Sequence, residues 1–457
     1  MIDVQKEIIV ALIFAVVYIF IFLIGETVRK RLSRQFEISR KIVHLLGGFV
    51  ALSFPYVVSS HWTVLVLAVS FCLIVIITKR KGLLKSVHGV ERRSYGGIYY
   101  PLAIYLIFLM SSNRPVIYFT SILVMTVSDT LAALVGGKYG TIKFDVEGNL
   151  KSLEGSVVFF FVTFLCIHLP LLLATDIARI DSVLIAFIIA VLVTGFEAIS
   201  LSGSDNLIVP FGTYFILTKM TQLPHTAIMQ SLYFLIGAII ITVVLFIRLR
   251  LFKLSGLIAM MLLNYAALSL CNIYWFLPLL LAQVFYYFLM RIFVHYEGVE
   301  KVRGYQVKVI FYLGIIPTFL IFAANAACKQ VPFYLPYLAS ITAQMAIISN
   351  YFFSKYVSRP FKAEVFFKHH RKILEFTCSL VATLCVAVIP IMLYKKTSPL
   401  HSTLIVMAGT WIAYTLNFMM NKYYRGVKDD IFEYRRRFVS ASLGVACVFL
   451  LQKIIAG

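Results

Sequence analysis

Two acids stand where a chain this apolar has few. Asp129 lies inside a long apolar run, in Ser128-Asp129-Thr130-Leu131-Ala132-Ala133-Leu134-Val135-Gly136-Gly137-Lys138-Tyr139-Gly140. Glu154 follows in Lys151-Ser152-Leu153-Glu154-Gly155, where the next apolar run begins. An ionisable group in hydrocarbon costs several kcal/mol and marks a functional site by default. Asp129, Ala132, Gly136 and Gly140 are spaced i, i+3, i+7 and i+11, which is one helix face. Small residues on a face admit a neighbouring helix, so a packing seam with one satisfied acid is the plain alternative. Against it, a carboxylate roughly two turns from the end of a span needs a cation or a divalent metal as partner. Lys151 and Ser152 at a helix start suit phosphate, because free N–H groups and positive dipole charge gather there. A simple helix cap by Ser152, with an early acid, explains the same residues equally well. This is no P-loop, since Leu150 and not glycine precedes Lys151. The H-R-D and D-F-G elements of protein kinases are missing too.

Three more polar clusters share the pattern. Arg40-Lys41-Ile42-Val43-His44 enters one span, and Glu91-Arg92-Arg93-Ser94-Tyr95-Gly96-Gly97-Ile98-Tyr99-Tyr100-Pro101 enters another. Glu197-Ala198-Ile199-Ser200-Leu201-Ser202-Gly203-Ser204-Asp205-Asn206 joins a full span to a short one that contains Pro210. Gly96-Gly97 beside basic residues lets the backbone approach an anion. His44, one turn into its span, reads as a hydrogen-bonded residue. Carboxylates with lysines and arginines around glycine-rich span ends are what metal-assisted phosphoryl transfer requires. A site that opens to the bilayer would have a lipid as acceptor.

The elements that must position these groups are membrane helices. Apolar residues make up 61% of the 457 positions, mean hydropathy is +0.91, and a soluble domain is about half apolar. Runs near the roughly 20 residues that cross a bilayer recur throughout. They fall at 7–25, 41–59, 61–78, 97–112, 115–137, 153–175, 182–199, 207–218, 226–247, 254–271, 273–294, 308–327, 333–353, 373–394, 401–420 and 438–453. The expected fold is an all-α polytopic bundle of 15–16 spans in two units, 1–253 carrying the chemistry and 254–457 of unassigned role. The first span has no basic head and no small-residue cleavage site, so it reads as retained.

The net charge of +22 could suggest nucleic acid, but alternate loops hold 34 of the 42 Lys and Arg. That asymmetry makes the basic side cytoplasmic, and all the polar clusters lie on it. Nucleic acid is therefore not an expected partner; topology and anionic headgroups account for the charge. The seven cysteines form no C-x-x-C pair and read as small apolar packing residues. Residues 371–375 and 433–436 echo 40–44 and 91–93, as a degenerate partial repeat of 1–112 would. Chance similarity between basic-flanked apolar segments is the preferred explanation.

The motifs resemble the polyprenol kinase family: dolichol kinases, phytol kinases and CTP-dependent diacylglycerol kinases. The matching elements are Arg40-Lys41-x-x-His44, Arg93-Ser94-x-Gly96-Gly97-Ile98-Tyr99-Tyr100-Pro101, Ser128-Asp129-x-x-Ala132-x-x-x-Gly136-x-x-x-Gly140, Lys151-Ser152-x-Glu154-Gly155-Ser156, and Glu197-Ala198 with Asp205-Asn206-Leu207-x-x-Pro210. Together they span roughly residues 1–250. The resemblance implies a kinase in a bacterial cytoplasmic membrane that uses CTP and Mg2+ to phosphorylate a lipid alcohol, a prenol such as phytol, farnesol or dolichol, or diacylglycerol. It implies Asp129, Lys151 and Glu154 as catalytic residues. Arg40, Lys41, Arg93, Gly97, Lys138, Gly140, Ser152, Gly155 and Asn206 would bind the nucleotide. Asp129, Glu154, Glu197 and Asp205 would hold metal. A phosphatidate cytidylyltransferase is the alternative enzyme. A secondary transporter, with Asp129, Glu197 and Glu375 as ion sites, ranks below both, because transport sites sit near the midplane.

Overall fold

A computed structural model of the chain describes residues 4–31, 36–82, 84, 95–111, 114–247, 252–297, 307–328, 331–357, 371–394, 398–424 and 430–456. Arg93, expected at the nucleotide, lies outside them, as does the side chain of Glu375. The protein is an all-α, multi-pass membrane protein. Each of the sixteen expected spans falls on a helical segment. Eleven described helices are long and apolar enough to cross a membrane, and three shorter apolar ones accompany them. Large apolar side chains such as Ile9, Leu12, Ile13 and Phe20 lie exposed along the first helix. Lipid, and not water, is the solvent that tolerates them.

Contacts divide the chain into Met1–Tyr233 and Phe234–Gly457. In the first unit the helices are α1 (Val4–Arg31), α2 (Phe36–Leu52), α3 (Phe54–Val57), α4 (His61–Arg80), α5 (Gly96–Met110), α6 (Pro115–Tyr139), α7 (Leu153–Ala174), α8 (Arg179–Ile199) and α9 (Asp205–Met220). Helix α10 (His225–Phe246) carries the chain into the second unit. α1 ends on Arg29, Lys30 and Arg31 and α4 on Lys79 and Arg80. Cations there complement the negative helix end and mark the basic face. At the opposite end the buried Glu7 of α1 accepts from the Ser59 N–H (2.8 Å) and from the Thr63 hydroxyl, which ties α1 to the start of α4.

α6 is interrupted by a π-turn at Val124–Ser128, directly before Asp129. Such turns widen the helix and occur often at functional sites. α2 presses into this turn. The Nε2 atom of His44 lies 3.1 Å from the Met125 carbonyl, and the Tyr118 hydroxyl donates to the Ala51 carbonyl at 3.0 Å. Gly48 makes the approach possible, because a Cβ there would fall 2.1 Å from Thr126 Oγ1 and 2.7 Å from Thr126 Cβ. Gly48→Ala is therefore expected to lower stability by about 1–3 kcal/mol through overpacking. Thermal unfolding in detergent would show this; an unchanged midpoint would mean the helices are not pressed together here.

The loop expected at 138–152 contains a two-stranded antiparallel hairpin, β1 (Lys143–Val146) and β2 (Asn149–Ser152), with Val146 opposite Asn149. Glu147 (φ +52°) and Gly148 (φ +88°) form its two-residue turn. Left-handed backbone at both turn positions matches strand twist, and the Asp145 carboxylate accepts from the Gly148 N–H at 2.8 Å.

The second unit contains α11 (Leu254–Cys271), α12 (Ile273–Glu297), α13 (Val307–Ala326), α14 (Val331–Val357), α15 (Arg371–Tyr394), α16 (Pro399–Tyr423) and α17 (Asp430–Ala456). α14 is buried along most of its length. Its Thr342 exchanges a 2.7 Å hydrogen bond with Thr410 of α16. α16 and α17 cross at glycine, where a Cβ on Gly409 would stand 2.8 Å from the Gly444 carbonyl oxygen. Asn264 and Gln283 pair their buried amides, as hydrogen-bonded polar groups in an apolar interior must.

Candidate active site

A cleft of about 340 Å³ opens in the first unit among α1, α2, α4, α5, β2, the turn after α8 and the start of α9. Its lining follows from helix periodicity. On α2, Arg40, His44 and Gly47 are at i, i+4 and i+7; on α4, Phe71, Val75 and Lys79 are at i, i+4 and i+8. The α4 row runs from a cation at the basic end to apolar side chains deeper in the helix, and the α2 row from Arg40 past His44 to a glycine. Tyr18, Ile21 and Phe22 of α1 and Tyr100 of α5 complete the apolar part. Lys151, Ser200, Asp205 and Asn206 add to the polar part.

Two ion pairs stand at this cleft. Asp129 Oδ2 accepts from Lys41 Nζ at 2.5 Å, with side-chain exposures of 13% and 5%. His44 Nε2 lies 3.5 Å from the same oxygen, and its ring packs on Tyr100 with centroids 4.6 Å apart. The Tyr100 hydroxyl donates to the His44 carbonyl at 3.2 Å. His44 lines the cleft, while Asp129 and Lys41 stand behind it. The second pair is Lys151 with Glu197, Nζ to Oε1 at 2.8 Å. The same ammonium donates to Ser200 Oγ at 3.0 Å and to the Glu197 carbonyl. Strand alternation puts Asn149 and Lys151 on one face of β2, and both reach the cleft. A strand, not a helix start, thus delivers the lysine.

The opposite rim is pinned across long sequence separations. Asn206 Nδ2 donates to the Gly96 carbonyl (3.1 Å) and the Tyr95 N–H to the Ser202 carbonyl (2.9 Å). Arg40 pairs with Glu37 through Nη2 at 2.6 Å, but its buried Nε has no partner.

The chain is 34% identical to the phytol kinase of Synechocystis sp. over 179 residues, 39% of this chain and 76% of that protein. The chain belongs to the phytol kinase family. No protein-family model matches it. No solved structure matches it either.

Within this phytol kinase family member, the cleft gathers Arg40, Gly97, Lys151, Asp205 and Asn206 of the expected site residues, with Lys41, Asp129 and Glu197 one contact behind. The others have different surroundings. Ser152 caps α7, its hydroxyl accepting from the Gly155 N–H at 3.2 Å. Gly140 and Gly155 face the α6–α7 crossing, where added Cβ atoms would meet Ser152 Cβ at 2.6 Å and the Ala132 carbonyl at 3.1 Å respectively. Lys138 is exposed and lies over the ring of Tyr139. Glu154 turns back to accept from the N–H groups of Thr141 (2.8 Å) and Ile142 (3.0 Å), closing the hairpin's base.

Sequence reasoning assigned no site role to His44, Asn149, Ser200, Lys79 or Tyr95, all of which line the cleft. The local signal for the hairpin that carries Asn149 and Lys151 was only Gly148, because Glu147-Gly148 is not the Asn-Gly or Asp-Gly pair that marks such a turn. Among the described residues no three of His, Cys, Asp and Glu come together as a metal cage. Asp205 is the cleft-lining carboxylate among them. Magnesium binding through one or two carboxylates plus substrate phosphates is compatible with that donor set.

Proposed function

We propose that the protein transfers the γ-phosphoryl group of CTP to the hydroxyl of a membrane lipid alcohol, a prenol or diacylglycerol, at the cytoplasmic face. The observation that carries the reading is the two-part cleft, with cations at one end and an aromatic, apolar wall at the other. A triphosphate would lie against Arg40 and Lys151, which neutralise charge on its oxygens. The lipid chain would lie along Tyr18, Phe22, Phe71 and Val75, which sets its hydroxyl beside His44. Asp129 is a positioning residue in this scheme: it holds Lys41 and His44 in place from behind. Mg2+ carried by the nucleotide would meet Asp205 and supply charge neutralisation on the phosphate oxygens. In the transfer, the bond from the γ-phosphorus to the bridging oxygen breaks and a bond to the lipid oxygen forms. The hydroxyl proton is released to solvent as CDP leaves. The apolar wall also keeps water from competing as acceptor.

The test is incubation of membranes containing the protein with Mg2+, a panel of prenols and diacylglycerol, and CTP labelled at either the α or the γ position, with ATP as control. Label from the γ position alone is expected in lipid. Label from the α position would mean CMP transfer, the cytidylyltransferase reaction, and would overturn the kinase reading.

A further inference from the structure

We infer that the base of the nucleotide stacks on the ring of Tyr95 and that the side-chain amide of Asn149 reads its edge. This rests on the cleft being the nucleotide site. Tyr95 is the residue just before α5; it lines the cleft and is 53% exposed, an unusual state for an aromatic ring in a walled site. It is also held in place. Its N–H donates to Ser202, which carries a left-handed backbone (φ +54°) followed by Gly203 (φ +84°), both lining the same cleft. Lys79 Nζ stands 5.8 Å from the ring centroid, so the ring is anchored from α4 as well. A held, half-exposed aromatic ring beside cations can take up a base, because every base offers a π-face.

Asn149 supplies what stacking lacks. Its amide can donate and accept, and among the described residues that side chain makes no hydrogen bond. It stands two residues before Lys151 on the same strand face, ~6.6 Å along the strand. A nucleotide laid along β2 with its phosphates at Lys151 would bring its base to Asn149, in the cleft that Tyr95 also lines. The apolar wall of the cleft, built from α1, α2 and α4, stays free for the lipid.

The experiment compares CTP with inorganic tripolyphosphate, which has the phosphates and no base, on the full-length protein. Tyr95→Ala is expected to raise the KM for CTP about ten-fold and to weaken the thermal stabilisation that CTP gives. The Ki of tripolyphosphate should not move, and Tyr95→Phe, which keeps the ring, should recover most of the CTP affinity that Tyr95→Ala loses. Asn149→Ala should reduce discrimination between CTP and UTP. An unchanged KM for CTP in Tyr95→Ala overturns the base site, as does a parallel rise in the tripolyphosphate Ki, which would show general distortion of the cleft. Unchanged CTP–UTP discrimination removes Asn149 from it. Failure of the unaltered protein to phosphorylate any lipid would instead overturn the kinase reading itself.

Discussion

Asp129→Asn is expected to abolish lipid phosphorylation and to lower stability together. Lys41 is 5% exposed and has Asp129 Oδ2 at 2.5 Å, so the substitution leaves a buried ammonium without its counter-charge. Breaking a buried pair from one side costs about 3–5 kcal/mol. Activity falls for a second reason. The Asp129 carboxylate also faces His44, and a reacting group misplaced by about 1 Å loses roughly 100-fold in rate. The two effects separate in a double variant. Asp129→Asn with Lys41→Met removes both charges and should recover most of the thermal stability, because a well-packed apolar pair can replace a buried ion pair. It should recover no activity. Phosphate transfer and unfolding temperature measured on both variants decide the matter; a double variant that regains turnover would show the pair to be only a structural tie.

Lys151→Met should reduce kcat by about 100- to 1,000-fold, the range for removing one preorganised donor to developing negative charge. The geometry makes the effect specific. The ammonium sits among three acceptors: Glu197 Oε1 at 2.8 Å, Ser200 Oγ at 3.0 Å and the Glu197 carbonyl. A compact, three-donor ammonium suits this notch, whereas the planar guanidinium of arginine does not. Lys151→Arg should therefore recover less than about a tenth of the lost rate, although charge is kept. Single-turnover transfer from γ-labelled CTP measures this directly. A Lys151→Met rate within three-fold of the unaltered protein would take Lys151 out of the phosphate-handling role.

How far the site could be read in advance varies residue by residue. The spacing of Asp129, Ala132, Gly136 and Gly140 announced one helix face, and Gly136 does meet α7, a Cβ on it falling 3.1 Å from Gly155 Cα. The same spacing did not say that the first member of the face turns to α2. Lys41 and Asp129 are 88 residues apart, Lys151 and Glu197 46, and Asn206 and Gly96 110. No periodicity within one segment carries such pairings. The π-turn before Asp129, against which α2 packs at Gly48, was also invisible. The hairpin is a different case: Gly148 is a local turn residue, but Glu147 does not announce the left-handed backbone it adopts.

The sequence alone determined that the chain is a polytopic helical membrane protein and that most of its Lys and Arg fall in alternate loops. Both are local properties, because a run of about 20 apolar residues must satisfy its backbone internally wherever it lies. Only the tertiary structure decided which acid answers which cation, that Ser152, Gly140 and Gly155 pack while Asn149, Lys151 and His44 face the cleft, and that an apolar wall adjoins the cationic end. Those outcomes follow from how helices cross. The closeness of a crossing is set by side-chain volumes on two segments at once, and neither segment specifies it by itself.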